Sequence, residues 1–200
     1  MKQKKVIIFF LSFGVVAVLL VLNLGAHIRD TWQKPDKVLE VIGVKPGMVI
    51  GEPGAGRGYF TLKLARKVGP AGKIYANDIV QSYLDTIKDK ARKEKLANIV
   101  TIKGEVTEPL FPEGELDMVF MSLVLHDLTQ PAAFLKNLKP SLKPNAPLVI
   151  LERSPEKTND TSGHFWKREK ILKTVKAAGY KLDRIETFLP KDNIYIYYVE

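Results

Sequence analysis

The chain has no cysteine, which excludes disulfides and thiol catalysis and says nothing about compartment. It has no cluster of Lys and Arg interleaved with aromatics, so nucleic acid is not an expected partner. The net charge of +9 is instead spread along the chain. Lys88-Asp-Lys-Ala-Arg-Lys-Glu-Lys95 reads as the solvated face of a helix, and three of the lysines lie ahead of residue 6. A basic chain of this kind suits an anionic membrane surface better than a nucleic acid. No internal repeat or low-complexity segment occurs, and no metal ligand set is expected.

One long hydrophobic run is present. Val6 to Leu24 is apolar except for Ser12, Gly14 and Asn23, and follows Lys2, Lys4 and Lys5. As a helix it would be roughly 28 Å long, close to the hydrocarbon thickness of a bilayer. Residues 1–26 are therefore expected to form an uncleaved single-pass anchor, with a cleaved signal peptide and a secreted or periplasmic domain as the alternative. The charges flanking the run lean slightly toward a domain outside the cytoplasm and leave the side of the membrane open. Residues 27–35 read as a linker and 36–200 as the folded domain.

In that domain, Val49-Ile-Gly-Glu-Pro-Gly-Ala-Gly-Arg-Gly58 runs an apolar strand through an acid into Gly54, Gly56 and Gly58. Glycines at a strand–helix junction let a ligand lie against the main chain. The spacing excludes the dinucleotide fingerprint, because Tyr59 stands where its third glycine belongs. Further apolar strands are read at Lys73–Asp78, Asn98–Glu105, Leu116–Leu123 and Ala146–Glu152, all but the third ending in an acid. Helices are expected at about 58–68, 80–95, 130–140 and 165–178, after a leading helix that starts at Pro35. Strand–helix alternation predicts a doubly wound parallel sheet. Lys181–Phe188 and Ile194–Val199 are joined by too short a link for anything but an antiparallel pair.

The pattern Glu52-x-Gly54-x-Gly56-x-Gly58, with the four strand ends in order after it, resembles the class I S-adenosylmethionine-dependent methyltransferases over about residues 36–200. The resemblance implies an α/β, Rossmann-like sheet of seven strands with the last antiparallel, and S-adenosylmethionine as cofactor. It implies that Glu52 faces the methionine amine, with Gly54 and Gly56 in the cofactor loop. Asp78 would hold the ribose, and Glu105 would stand near the adenine amino group. Glu105 departs from the usual aspartate, and Pro144-Asn-Ala-Pro147 replaces the usual glycine pair before strand five.

Each residue also has a plainer reading. Glu52 could be a capping or salt-bridge acid, and Asp78 an N-cap for the following helix. Gly58 could serve only close helix packing. Tyr59 could meet the cofactor carboxylate or merely pack. His126 follows strand four, where it could border the methyl-acceptor pocket and take a proton, or cap the next helix. Trp166 reads as packing in the core or in a cover over the substrate.

These residues support methyl transfer to a small-molecule or lipid-proximal acceptor, with His126 as the candidate catalytic group. Two other readings remain: a nucleoside-binding module without transfer activity, and a polyamine synthase of the same fold. The latter wants a run of acids after strand four, where only Asp127 stands.

Overall fold

The computed structural model describes residues 28–200. Its strands are β1 (Val49–Pro53), β2 (Lys73–Asp78), β3 (Ile99–Lys103), β4 (Met118–Ser122), β5 (Leu148–Arg153), β6 (Tyr180–Glu186) and β7 (Asp192–Val199). They form one sheet in the order β3-β2-β1-β4-β5-β7-β6. Pairs among β1 to β5 are parallel, and β7 lies antiparallel between β5 and β6. The mostly parallel seven-stranded sheet expected above is thus observed, with the antiparallel strand inserted before the edge.

The helices are α1 (Pro35–Val41), α2 (Tyr59–Val68), α3 (Gln81–Lys93), α4 (Pro131–Leu138), α5 (Pro155–Thr158) and α6 (Arg168–Ala177). Proline opens α1, α4 and α5, where its missing N–H costs nothing. Gly58 and Gly69 bracket α2 in backbone geometries with positive φ.

Both faces of the sheet are covered, so β4 and β5 are apolar without interruption up to their carboxyl ends. Alternation along a strand then divides the core. Val119, Met121, Leu148 and Ile150 belong to one packed cluster. Met118, Phe120, Val149 and Leu151 belong to the cluster on the opposite face. β1 and β4 are neighbours although β2 and β3 lie between them in sequence. Strand order reverses there, and the crevice beyond the carboxyl ends of these strands is where such sheets bind ligands.

Some elements differ from their sequence expectations. β3 stops at Lys103, short of Gly104 and Glu105. Gly104 sits so close to Asn77 that a Cβ would lie 2.3 Å from its Nδ2. The β6–β7 turn is drawn in by Lys157, whose Nζ donates to the carbonyls of Thr187, Leu189 and Asp192 at 2.6, 2.7 and 2.9 Å. Residues 28–33, within the stretch read as a linker, are helical. Gln33 there is fully buried and donates to Asp192 Oδ2 at 3.2 Å.

The expected single-pass membrane localisation does not stand: among the described residues no helix is long and apolar enough to cross a membrane. The apolar run and the N-terminal hydrophobic helix expected from it lie outside the described residues, as does the alternative cleavage point.

Candidate functional site

β1 delivers Glu52 to the crevice with 3% of its surface exposed. Thr61 of α2 donates to its Oε2 at 2.6 Å. Burial pushes the Glu52 carboxyl up to about 8, against the opposing pull of the Thr61 hydrogen bond and the Arg29 charge. A carboxyl so placed is short of a positive partner.

The glycine loop follows, and its members differ in what they allow. Gly54 and Gly56 have φ values of 67° and 55°. A Cβ on Gly54 would lie 2.2 Å from Val124 Cγ2, whereas one on Gly56 would meet nothing within 4 Å. Gly54 is therefore demanded by packing, and Gly56 leaves an open approach to the main chain. A Cβ on Gly58 would meet Ile87 Cγ1 at 2.9 Å, so Gly58 serves helix packing.

Asp78, at the end of β2, accepts from the Gly56 N–H at 2.8 Å through Oδ2 and from the Val80 N–H at 2.9 Å through Oδ1. It holds the glycine loop and the start of the next segment at once. Each oxygen keeps a further lone pair for a ligand donor.

Two adjoining pockets share Gly54. One of about 290 Å³ is lined by Gly54, Asp78, Ile79, Glu105, Val106 and Asp127 among others. The second, of about 330 Å³, is lined by Arg29, Glu52, Gly54, Gly56, Tyr59 and Ser122 among others. The expected cofactor residues are thus brought together: Asp78 and Glu105 on one side of the loop, Glu52 and Gly56 on the other. Ser122 Oγ, buried at the end of β4, has no hydrogen-bond partner among the described residues.

Arg29 was not legible as a site residue. Its guanidinium lies 3.7 Å from the centroid of the Tyr59 ring, and the Tyr59 hydroxyl donates to Asp30. Lys63 Nζ reaches the same carboxylate at 3.1 Å. Tyr59, open between packing and cofactor contact in the sequence, is held by the helical residues 28–33.

His126 lies beyond β4, in a 3₁₀ turn spanning Leu125–Asp127. Leu123, two residues before that turn, has φ 56°, an uncommon backbone state for a branched side chain. Glu152, at the end of β5, holds the turn. Its Oε1 accepts from the Leu125 N–H at 2.8 Å, and its Oε2 lies 2.7 Å from His126 Nδ1. Burial alone would lower the His126 pKa, but the hydrogen bond to Glu152 and its charge outweigh that and raise it above the usual imidazole value. The rings of His164 and Phe165 both meet His126 edge-on, with centroids 4.8 Å away. His126 lines neither pocket, although Asp127 beside it lines the first. Trp166 packs against the core, with Lys170 Nζ 3.8 Å from its ring centroid.

This cradle fits a zwitterionic nucleoside: an uncompensated acid and a cation in one pocket, an open glycine main chain between, and a second acid pair beyond. Comparison with known proteins agrees. The model of a methyltransferase domain family matches residues 44–185. The ubiquinone/menaquinone biosynthesis C-methyltransferase UbiE of Shewanella sp. (strain W3-18-1) is 30% identical over 135 residues, 67% of this chain and 52% of that protein. A 2-phytyl-1,4-naphtoquinone methyltransferase of Trichormus variabilis is 30% identical over 132 residues, 66% of this chain and 56% of that protein. The chain thus spans about half the length of these relatives. A crystal structure of a SAM-dependent methyltransferase from Aquifex aeolicus superposes with a TM-score of 0.78 at 27% identity, over 84% of this chain and 91% of that one. The chain belongs to the class I S-adenosylmethionine-dependent methyltransferase family, whose cofactor is S-adenosylmethionine.

Proposed function

We propose that the chain transfers the methyl group of S-adenosylmethionine to a small-molecule acceptor, and that this acceptor is a quinol-type ring. The observation that carries the first part is the buried Glu52 carboxyl sharing a pocket with Arg29 across the glycine loop. An amino-acid end presents an ammonium and a carboxylate, which Glu52 and Arg29 would bind respectively. Asp78 and Glu105 would hold the ribose hydroxyls and the adenine amino group. Ile79 and Val106, 58% and 50% exposed, offer apolar surface to a flat base. Ser122 Oγ, without a partner among the described residues, is available to the bound molecule. The quinol acceptor rests on the two relatives named as quinone methyltransferases.

When bound, S-adenosylmethionine supplies a methyl already activated by its sulfonium. The chain's own work is then alignment and exclusion of water. Residues 28–33 close one side of the pocket through Arg29 and its stacking on Tyr59. On the acceptor side His126 is proposed as the catalytic group. The 2.7 Å contact with Glu152 assigns Nδ1 as donor, so Nε2 is left to receive a hydrogen bond from an acceptor hydroxyl.

Calorimetric titration of the full chain with S-adenosylhomocysteine and with NAD tests the cofactor site, with heat expected only from the first. Comparable heats would overturn it. Incubation with S-adenosylmethionine and a reduced 2-alkyl-1,4-naphthoquinone should release S-adenosylhomocysteine. Cofactor binding without that release would overturn the acceptor.

A further inference from the structure

Two of the chain's three histidines, His126 and His164, come together beside an aspartate although 38 residues separate them. One ligand-type atom from each of His126, Asp127 and His164 lies within 4.8 Å of the other two. His126 Nε2 stands 3.6 Å from Asp127 Oδ1, an ion-pair distance too long for a hydrogen bond. Behind His126, the Glu152 side chain is 2% exposed and touches Nδ1 at 2.7 Å. A carboxylate on the far nitrogen of an imidazole is the arrangement that orients metal-bound histidines and raises their basicity. Here it leaves the Nε2 lone pair on the side of Asp127.

We propose that His126, Asp127 and His164 bind a divalent transition-metal ion, zinc being the best match, at the edge of the cofactor pocket. Two imidazoles and one carboxylate suit zinc and its neighbours better than calcium or magnesium, which favour oxygen-only sets. Zinc bonds of about 2.0–2.2 Å place donor atoms roughly 3.3 Å apart in a tetrahedral site. The three side chains must therefore draw in from their present spacing. Two can do so: Asp127 and His164 are exposed, and His164 lies in the irregular stretch between α5 and α6. His126 is held by Glu152 and forms the rigid end of the set. Three protein ligands leave a coordination position for water or for an oxygen of a bound molecule, the pattern of catalytic rather than structural zinc. Asp127 also lines the pocket that contains Asp78 and Glu105, and His126 is the group proposed for the acceptor side, so the ion would stand between the cofactor pocket and the acceptor. A bound ion takes the Nε2 lone pair, and the acceptor oxygen would then meet the ion in place of His126.

The test uses the full chain without an affinity tag, stripped with a chelator and titrated with Zn²⁺ by calorimetry and with Co²⁺ by visible absorption. One equivalent of each is expected to bind, and Co²⁺ should show the d–d bands of a four- or five-coordinate site. His164→Ala and Asp127→Asn, both surface changes, should each weaken binding at least about tenfold, and Glu152→Gln by about 10–100-fold. His27→Ala, at the third histidine and outside the described residues, should leave binding unchanged. Absence of saturable one-to-one binding would overturn the site, as would full affinity in both His164→Ala and Asp127→Asn.

Discussion

The Gly56 N–H donates to Asp78 Oδ2 at 2.8 Å, joining the loop after β1 to the tip of β2. The same carboxylate accepts from the Val80 N–H. Asp78 is therefore both a clamp on the glycine loop and a candidate ribose ligand, and the two roles share one side chain. Asp78→Ala should weaken S-adenosylhomocysteine binding by about 1.5–3 kcal/mol, the scale of hydrogen bonds to a charged group. It should also lower the melting temperature, since two amides lose their acceptor. A lowered melting temperature with unchanged affinity would leave Asp78 as a clamp alone.

Glu52→Gln should separate stability from binding. The folded protein keeps a proton on Glu52 up to about pH 8, whereas the ordinary value is 4.5. A group raised in this way stabilises fully below about pH 4.5, and that contribution is lost as pH rises toward 8. Arg29, Thr61 and Asp78 are the groups acting on it. Glutamine has no proton to lose, so the variant should melt higher than the parent near pH 8 and match it near pH 4.5. Its cofactor affinity should fall over the same upper range. Melting curves that run parallel at every pH would contradict the buried, proton-bearing Glu52.

Arg29→Ala should raise the dissociation constant for S-adenosylmethionine at least about tenfold, the loss of one charge-assisted hydrogen bond. Arg29→Lys should recover only part, because lysine keeps the charge and loses the planar stacking on Tyr59. Equilibrium dialysis on the three proteins checks this. Equal affinities would remove Arg29 from the site.

Gly54→Ala and Gly56→Ala should fail in different assays. A methyl at residue 54 collides with Val124, so this variant should express poorly or melt early. A methyl at residue 56 meets open space, and the left-handed backbone alone costs about 1–2 kcal/mol. Gly56→Ala should fold and bind cofactor weakly, because the methyl occupies the open approach to the loop. Strong binding by Gly56→Ala would place the cofactor elsewhere.

The sheet was legible because each central strand is an apolar run closed by a polar residue, and the helices between carry their own stop signals. Glu52 and Asp78 were legible as strand ends and Gly54 and Gly56 as the loop after β1, whereas Glu105, read as a strand end, lies two residues beyond β3. Arg29 was not legible, since nothing local marks a charged residue beyond an apolar run as a wall of a pocket thirty residues away. The set around His126 was hidden by distance as well. Glu152 stood out only as a strand terminus, and His164 lay just ahead of the helix expected from residue 165. Their approach to His126 depends on β4 and β5 lying side by side, a pairing that residue spacing does not encode. The exchange of order between β6 and β7 escaped because a hairpin reads alike from either side.

Helical residues 28–33 contribute no strand and little core, yet they carry Arg29 and, through Gln33, touch Asp192 on β7. The sheet can therefore be complete while the pocket is not. Without residues 28–33 every strand pair would remain, while the pocket would lose Arg29 and buried Asp192 would lose its Gln33 donor. Lifting this segment would open one side of the pocket without breaking a strand pair, at the cost of the Gln33–Asp192, Tyr59–Asp30 and Lys63–Asp30 hydrogen bonds.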